Sequence, residues 1–115
     1  MQKLQTEQQF RDLAGKQQLT IAVFKTTWCP DCHFIDPFMP AVEEHFKGQV
    51  TFVEIDRDDM PELCSELNIL GIPSFIAFYE GKELVRFVNK LRKSREEIEQ
   101  FVDRAIQVQG ALAGN

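Results

Sequence analysis

The pentapeptide Trp28-Cys29-Pro30-Asp31-Cys32 constrains this chain more than any other stretch. It follows the apolar, β-branched run Leu19 to Lys25, which reads as a buried strand. A helix-like pattern comes after it. Pro30 suits a first helical turn, and Phe34, Ile35, Phe38, Val42 and Phe46 keep helical spacing up to Gly48. Pro37 lies inside that helix and removes one backbone donor, so a kink is expected there. Residues i and i+3 of a helical turn share a face, within reach of disulfide geometry. Unpaired N–H groups and the dipole at the helix start favour a thiolate. Cys29 is therefore expected to be an exposed attacking thiol, and Cys32 the more buried resolving thiol.

The remaining pattern places this motif in an α/β frame. Thr6-Glu7-Gln8-Gln9 reads as a capping box for a short helix that stops at Gly15. Val50 to Asp56 alternates like a strand. Asp59 is the expected cap of a short helix reaching about Asn68, with Pro61 in its first turn. Ser74 to Tyr79 and Glu83 to Val88 read as strands joined by the hairpin signal Glu80-Gly81-Lys82. Ser94-Arg95-Glu96-Glu97 opens a last helix whose Ile98, Phe101, Val102, Ala105 and Ile106 face the core. The order α-β-α-β-α-β-β-α predicts a mixed sheet with helices on both faces. One domain is expected over residues 1–109, with a frayed tail over 110–115.

Composition narrows the chemistry. The chain has 115 residues, a formal net charge of -5 and three cysteines. That charge argues against a nucleic-acid partner, which would want a basic face. The basic cluster Lys90-Leu91-Arg92-Lys93 reads as a solvated turn before the last helix. No apolar run reaches membrane-spanning length, and the polar start Met1 to Gln5 lacks the core of a secretion signal. A cytoplasmic location, with no membrane contact, is the expectation. In a reducing compartment a close cysteine pair is catalytic or metal-binding rather than structural. A zinc site needs four ligands, and only Cys64, His33 and His45 remain, without a second matching pair. Redox exchange is thus preferred over metal binding. Cys64 needs no role beyond packing as a small buried residue.

The motif, the strand before it, Pro37 after it and the distant Gly71-Ile72-Pro73 together resemble the thioredoxin family, from about Thr6 to Ile106. The resemblance implies a thioredoxin-like three-layer α/β/α sandwich. It also implies a cis Ile72-Pro73 bond beside the dithiol, with Ile72 and Pro73 contacting substrate backbone like an added strand. Trp28 would be a flat apolar contact surface, and Pro30 and Asp31 would complete the substrate face. A lowered thiol pKa in a Cys-x-x-Cys motif is a known property of thioredoxin, so it belongs to the resemblance and not to the spacing.

The sequence also departs from that family. A buried Asp six residues before the first Cys is usual, and Val23 stands there. Its usual Lys partner on the next strand corresponds to Phe52. Lys25, on the face of Val23, is a candidate for stabilising a thiolate electrostatically, against the alternative of an amine pointing to solvent. Asp31 favours the helix start yet repels a Cys29 thiolate, and is also a candidate proton relay. The expected activity is thiol–disulfide exchange by Cys29 and Cys32 on protein or small-molecule disulfides. The chain would act as a monomer without a cofactor, re-reduced by an NADPH-linked thioredoxin reductase. The alternative is a low-turnover binding or chaperone-like module on the same fold.

Overall fold

Alternation along the strands divides the core in two, because successive side chains of a strand leave opposite faces of the sheet. In the computed structural model, which describes residues 1–113, the strands are β1 (Gln2–Lys3), β2 (Thr20–Lys25), β3 (Thr51–Asp56), β4 (Ser74–Tyr79) and β5 (Lys82–Phe87). They form one sheet in the order β1-β3-β2-β4-β5. β1, β3 and β2 are parallel, whereas β4 runs antiparallel to both β2 and β5.

Ile21, Val23, Phe52, Phe75 and Ala77 enter one core cluster. It is completed by Ile35, by Met39 and Val42 of α3 (Met39–His45), and by Ile98, Phe101, Val102 and Ala105 of α5 (Arg95–Ala113). Ala22, Phe24, Val53, Ile55, Ile76 and Phe78 enter the other cluster. There they meet Phe10 and Ala14 of α1 (Glu7–Ala14) and Leu63 and Cys64 of α4 (Pro61–Glu66). The result is the three-layer α/β/α sandwich with a mixed central sheet. Each fully buried Ile or Phe contributes about 1.5–3 kcal/mol relative to leaving it exposed.

Both capping boxes form. Thr6 and Gln9 close α1 reciprocally, and Ser94 and Glu97 do the same for α5 through bonds of 2.9 and 3.1 Å. The hairpin turn has Glu80 and Gly81 at φ of 51° and 81°, the left-handed pair of a two-residue turn whose twist suits its strands. Its backbone N–H groups are tied to Lys16 O and Ala14 O, which fixes the turn against the end of α1.

Four expectations need correction. The helix after the motif is broken rather than kinked, into α2 (Pro30–Ile35) and α3. Pro37 and Pro40 remove two donors in succession, and their rings crowd the carbonyls four residues back. Asp59 does not cap α4; Met60 holds that position with no side-chain cap bond, and Pro61 opens the helix. α5 continues over 110–113, so the expected fraying does not begin at Gly110; Gly114 and Asn115 lie outside the described residues. β1 adds a strand to the expected order, since two exposed polar residues carry no periodicity. Leu4, fully buried, and its N–H bond to Glu54 O anchor that edge.

Candidate active site

The dithiol sits where β2 ends and α2 begins. Cys29 is the N-cap of α2, and its sulfur accepts the Cys32 backbone N–H at 3.2 Å. Both cysteines are reduced, as is Cys64. The expected contrast in exposure is small: Cys29 is 5% exposed and Cys32 is 0%. Cys29 is less open than its place ahead of the helix suggests, because the loop around Ile72 covers it. Its Sγ lies 3.9 Å from Ile72 O, and the Ile72–Pro73 bond is cis, as the resemblance implied.

The surroundings of Cys32 favour its protonated form. Burial pushes the Cys32 thiol up to about 12 and its hydrogen bond with Cys29 adds to this, while a backbone bond at Thr26 and the charge of Lys25 oppose it. Thr26 Oγ1, close by in the chain, is the only buried side-chain polar atom among the described residues without a hydrogen-bond partner.

Trp28 is 60% exposed, yet it is anchored. Its Nε1 donates to Asp58 at 2.7 Å, and the Arg57 guanidinium lies 5.9 Å from the ring centroid. One ring thus both packs the loop and offers an apolar surface beside Cys29. Phe34, Leu70 and Leu91 are also exposed.

Lys25 neither points to solvent nor contacts the sulfurs. Its ammonium bridges Asp36 at 2.6 Å and Glu54 at 3.4 Å. Burial would lower its pKa, but the bond to Asp36 and the charge of Glu54 outweigh that and hold it above the ordinary lysine range. Val23 and Phe52 both lie in the apolar core. The Lys25–Glu54 pair therefore stands two residues further along each strand, toward the motif, with the cation on β2 and the anion on β3. Asp36 also meets His33 Nδ1 at 3.3 Å, and His33 Nε2 approaches Thr27 O at 2.6 Å.

Asp31 has a partner that the sequence did not announce. Arg92 Nε donates to its Oδ1 at 2.9 Å, and the same guanidinium lies 4.4 Å from the Phe34 ring centroid. The basic cluster read as a solvated turn is thus part of the site. Nothing in the local sequence marks a contact across 61 positions; only the fold supplies it. Cys64 lines a separate cleft of about 450 Å³ with Arg57, Asp58 and Leu70, and burial pushes its thiol up to about 11. Among the described residues no three His, Cys, Asp or Glu side chains are placed to hold a metal ion, so His33, His45 and Cys64 do not complete a ligand set with the pair.

A mixed sheet that seats a reduced Cys-x-x-Cys at a helix N-terminus, facing a cis-proline loop, defines the thioredoxin-fold class. Residues 1–104 match the family model for thioredoxin, and the chain belongs to the thioredoxin family. It is 35% identical to the thioredoxin of Oryctolagus cuniculus over 70% of this chain and 74% of that one. The match to the chloroplastic thioredoxin X of Arabidopsis thaliana spans 75% of this chain but 47% of that protein, at 31% identity. The crystal structure of thioredoxin from Trypanosoma brucei brucei superposes with a TM-score of 0.80 at 27% identity, over 91% of this chain and 89% of the other. No described helix is long and apolar enough to cross a membrane.

Proposed function

We propose that this chain is a thiol–disulfide oxidoreductase that reduces protein or small-molecule disulfides. One observation carries this reading: reduced Cys29 caps α2, accepts the Cys32 N–H at 3.2 Å, and faces the Ile72 carbonyl. The Cys29 thiolate attacks one sulfur of a substrate disulfide, and the other substrate sulfur leaves as a thiolate and takes up a proton. A mixed disulfide remains on Cys29. Cys32, on losing its proton, attacks Cys29 Sγ and expels the second substrate thiolate. Two electrons have then passed to the substrate, and Cys29–Cys32 is a disulfide. An NADPH-linked thioredoxin reductase in a cytoplasmic, reducing setting would restore the dithiol, with no cofactor bound to this chain.

In this reading the substrate chain lies along Ile72 and Pro73 as an added strand. Trp28 and Pro30 supply apolar contact, and Asp31 borders the docking face. Lys25 assists the Cys32 thiolate through its charge, which already opposes the effect of burial there. Lys25→Met should slow release of the mixed disulfide several-fold while leaving attack by Cys29 unchanged; equal rates in both proteins would remove Lys25 from the mechanism.

Reduction of insulin disulfides, with Cys29→Ser as control, tests the reading. Turnover that the substitution abolishes is the expected result. A native protein that does not reduce insulin would instead favour the low-turnover binding module, to which the apolar Val23 and Phe52 lend support.

A further inference from the structure

Among the described residues, one buried cation is not used by the mechanism above. Lys93 is 1% exposed. Its Nζ donates to Leu91 O at 2.8 Å, Asn89 Oδ1 at 3.1 Å and Asn89 O at 3.3 Å. Three acceptors match the three protons of an ammonium; a neutral amine would leave one acceptor without a donor. None of the three is a carboxylate. The Phe87 ring also lies close, with its centroid 5.2 Å from Nζ. A buried cation held only by neutral oxygens retains much of its desolvation cost, so it favours an anion appearing nearby.

The loop that Lys93 ties together touches neighbours of the dithiol on two sides. Asn89, which supplies two of the three acceptors, packs on Gly71: a Cβ at Gly71 would clash with the Asn89 carbonyl. Gly71 leads directly into Ile72, whose carbonyl faces Cys29 Sγ. On the other side, Arg92 reaches Asp31 between the two cysteines. Asp31, Glu97, Cys32 and Cys29 all act on Lys93 electrostatically, offsetting part of the lowering that burial imposes on its pKa.

We propose that Lys93 is a fixed positive charge behind the dithiol: a positioning residue that ties the Asn89–Arg92 loop to the site and stabilises the reduced, thiolate-bearing pair. The proposal rests on the thiol–disulfide reading. The charged and titratable groups that act on it are Asp31 at the motif, Glu97 on α5 and the two thiols. A charge that favours the thiolate form stabilises the reduced state and makes the couple more oxidising. Removing the charge makes it more reducing.

The test is equilibration of the dithiol with glutathione. Protein dithiol and oxidised glutathione give protein disulfide and two reduced glutathione molecules, so electrons and protons balance. Two variants separate charge from packing. Lys93→Met keeps much of the volume and loses the charge. Asn89→Asp keeps the hydrogen bond to Lys93 and neutralises the ammonium where it sits, so it also serves if Lys93→Met fails to fold. Both should shift the equilibrium about tenfold toward the protein disulfide, or about 30 mV more reducing. The new carboxylate also acts on the thiols by itself, so Asn89→Asp is compared with the same change made in Lys93→Met; a purely structural Lys93 predicts the same shift in both backgrounds. A potential within about twofold of native in folded Asn89→Asp overturns the proposal, whatever Lys93→Met does. A native protein that does not exchange with glutathione at all removes the oxidoreductase reading, and this proposal with it.

Discussion

Two loops meet beside Cys29, and they are held by opposite means. The loop from Gly71 to Ser74 is shaped by its backbone: a cis Ile72–Pro73 bond, a glycine whose missing Cβ lets Asn89 approach, and a Ser74 hydroxyl donating to Gly71 O. The loop from Asn89 to Lys93 is shaped by side chains: the Lys93 ammonium gathers three acceptors of its own loop, and Asn89 Oδ1 also accepts the Leu91 N–H. Backbone control requires glycine and proline at fixed places and therefore leaves a mark in the sequence. Side-chain control leaves only a lysine among other basic residues. The same candidate site thus has one wall that sequence reasoning finds and one that it mistakes for solvated surface.

The largest effect should come from the sulfur on which both loops converge. Cys29→Ser is expected to reduce disulfide turnover to background. Cys32→Ser should retain attack and stall the mixed disulfide on Cys29, visible as an added substrate mass that a reductant removes. Free product from Cys32→Ser at the native rate would reverse the roles assigned to the two thiols.

Next in size is the contact between the loops. Gly71→Ala places a methyl against backbone that cannot move without carrying Lys93's acceptors with it. It should destabilise the protein by about 3 kcal/mol, measured by urea denaturation, and slow turnover as well. A loss below about 1 kcal/mol would mean that the loops adjust independently, and the comparison would lose its force.

A third effect is the pH dependence of the Cys32 step. Burial holds the Cys32 thiol protonated far above neutrality, up to about 12. The rate of mixed-disulfide resolution should therefore climb about tenfold per pH unit between roughly pH 6 and 8, following the thiolate fraction. Stability has the opposite sign. The folded state keeps protons on Cys32 and Cys64 that the unfolded chain loses above about pH 8.5. Stability of the reduced protein is thus full below that value and declines as pH rises toward the folded-state values of about 12 and about 11. Urea midpoints that stay level from pH 8 to 10 would contradict the burial of both thiols.

The smallest effect belongs to the ion pair on the rim. Arg92 and Asp31 are 55% and 31% exposed, so Arg92→Gln should cost about 0.2–1 kcal/mol and move the glutathione equilibrium less than Asn89→Asp does. A larger shift from Arg92→Gln would place the control of the dithiol at the surface pair rather than at Lys93.

Much of the fold was legible because its determinants are local. Capping boxes at Thr6 and Ser94, alternation along β4 and the turn at Glu80-Gly81 each act within a few residues. What escaped depends on distance in the chain or on two causes acting at once. A single proline kinks a helix, but Pro37 followed by Pro40 breaks it. β1 exists because β3 offers an edge, not because Gln2 and Lys3 favour a strand. The dithiol was readable from residue type and spacing, whereas the contact role of Trp28 and the cis Ile72–Pro73 bond followed only from the resemblance to the thioredoxin family. Lys25 stands out in the sequence, but its carboxylate partners lie at the C-cap of α2 and on β3, where no local pattern points to them. Arg92 and Lys93 needed the fold to bring them to the motif.

Three roles stand at the centre of the account: Cys29 attacks, Cys32 resolves, and the pair ends as one disulfide. The direct measurement is a single turnover of the reduced protein with one equivalent of a disulfide peptide, acid-quenched, alkylated and read by peptide mass spectrometry. The account predicts a Cys29–Cys32 disulfide formed in step with two new peptide thiols, and Cys64 alkylated throughout. A disulfide that includes Cys64, or a fully alkylated protein with the peptide still oxidised, would contradict it.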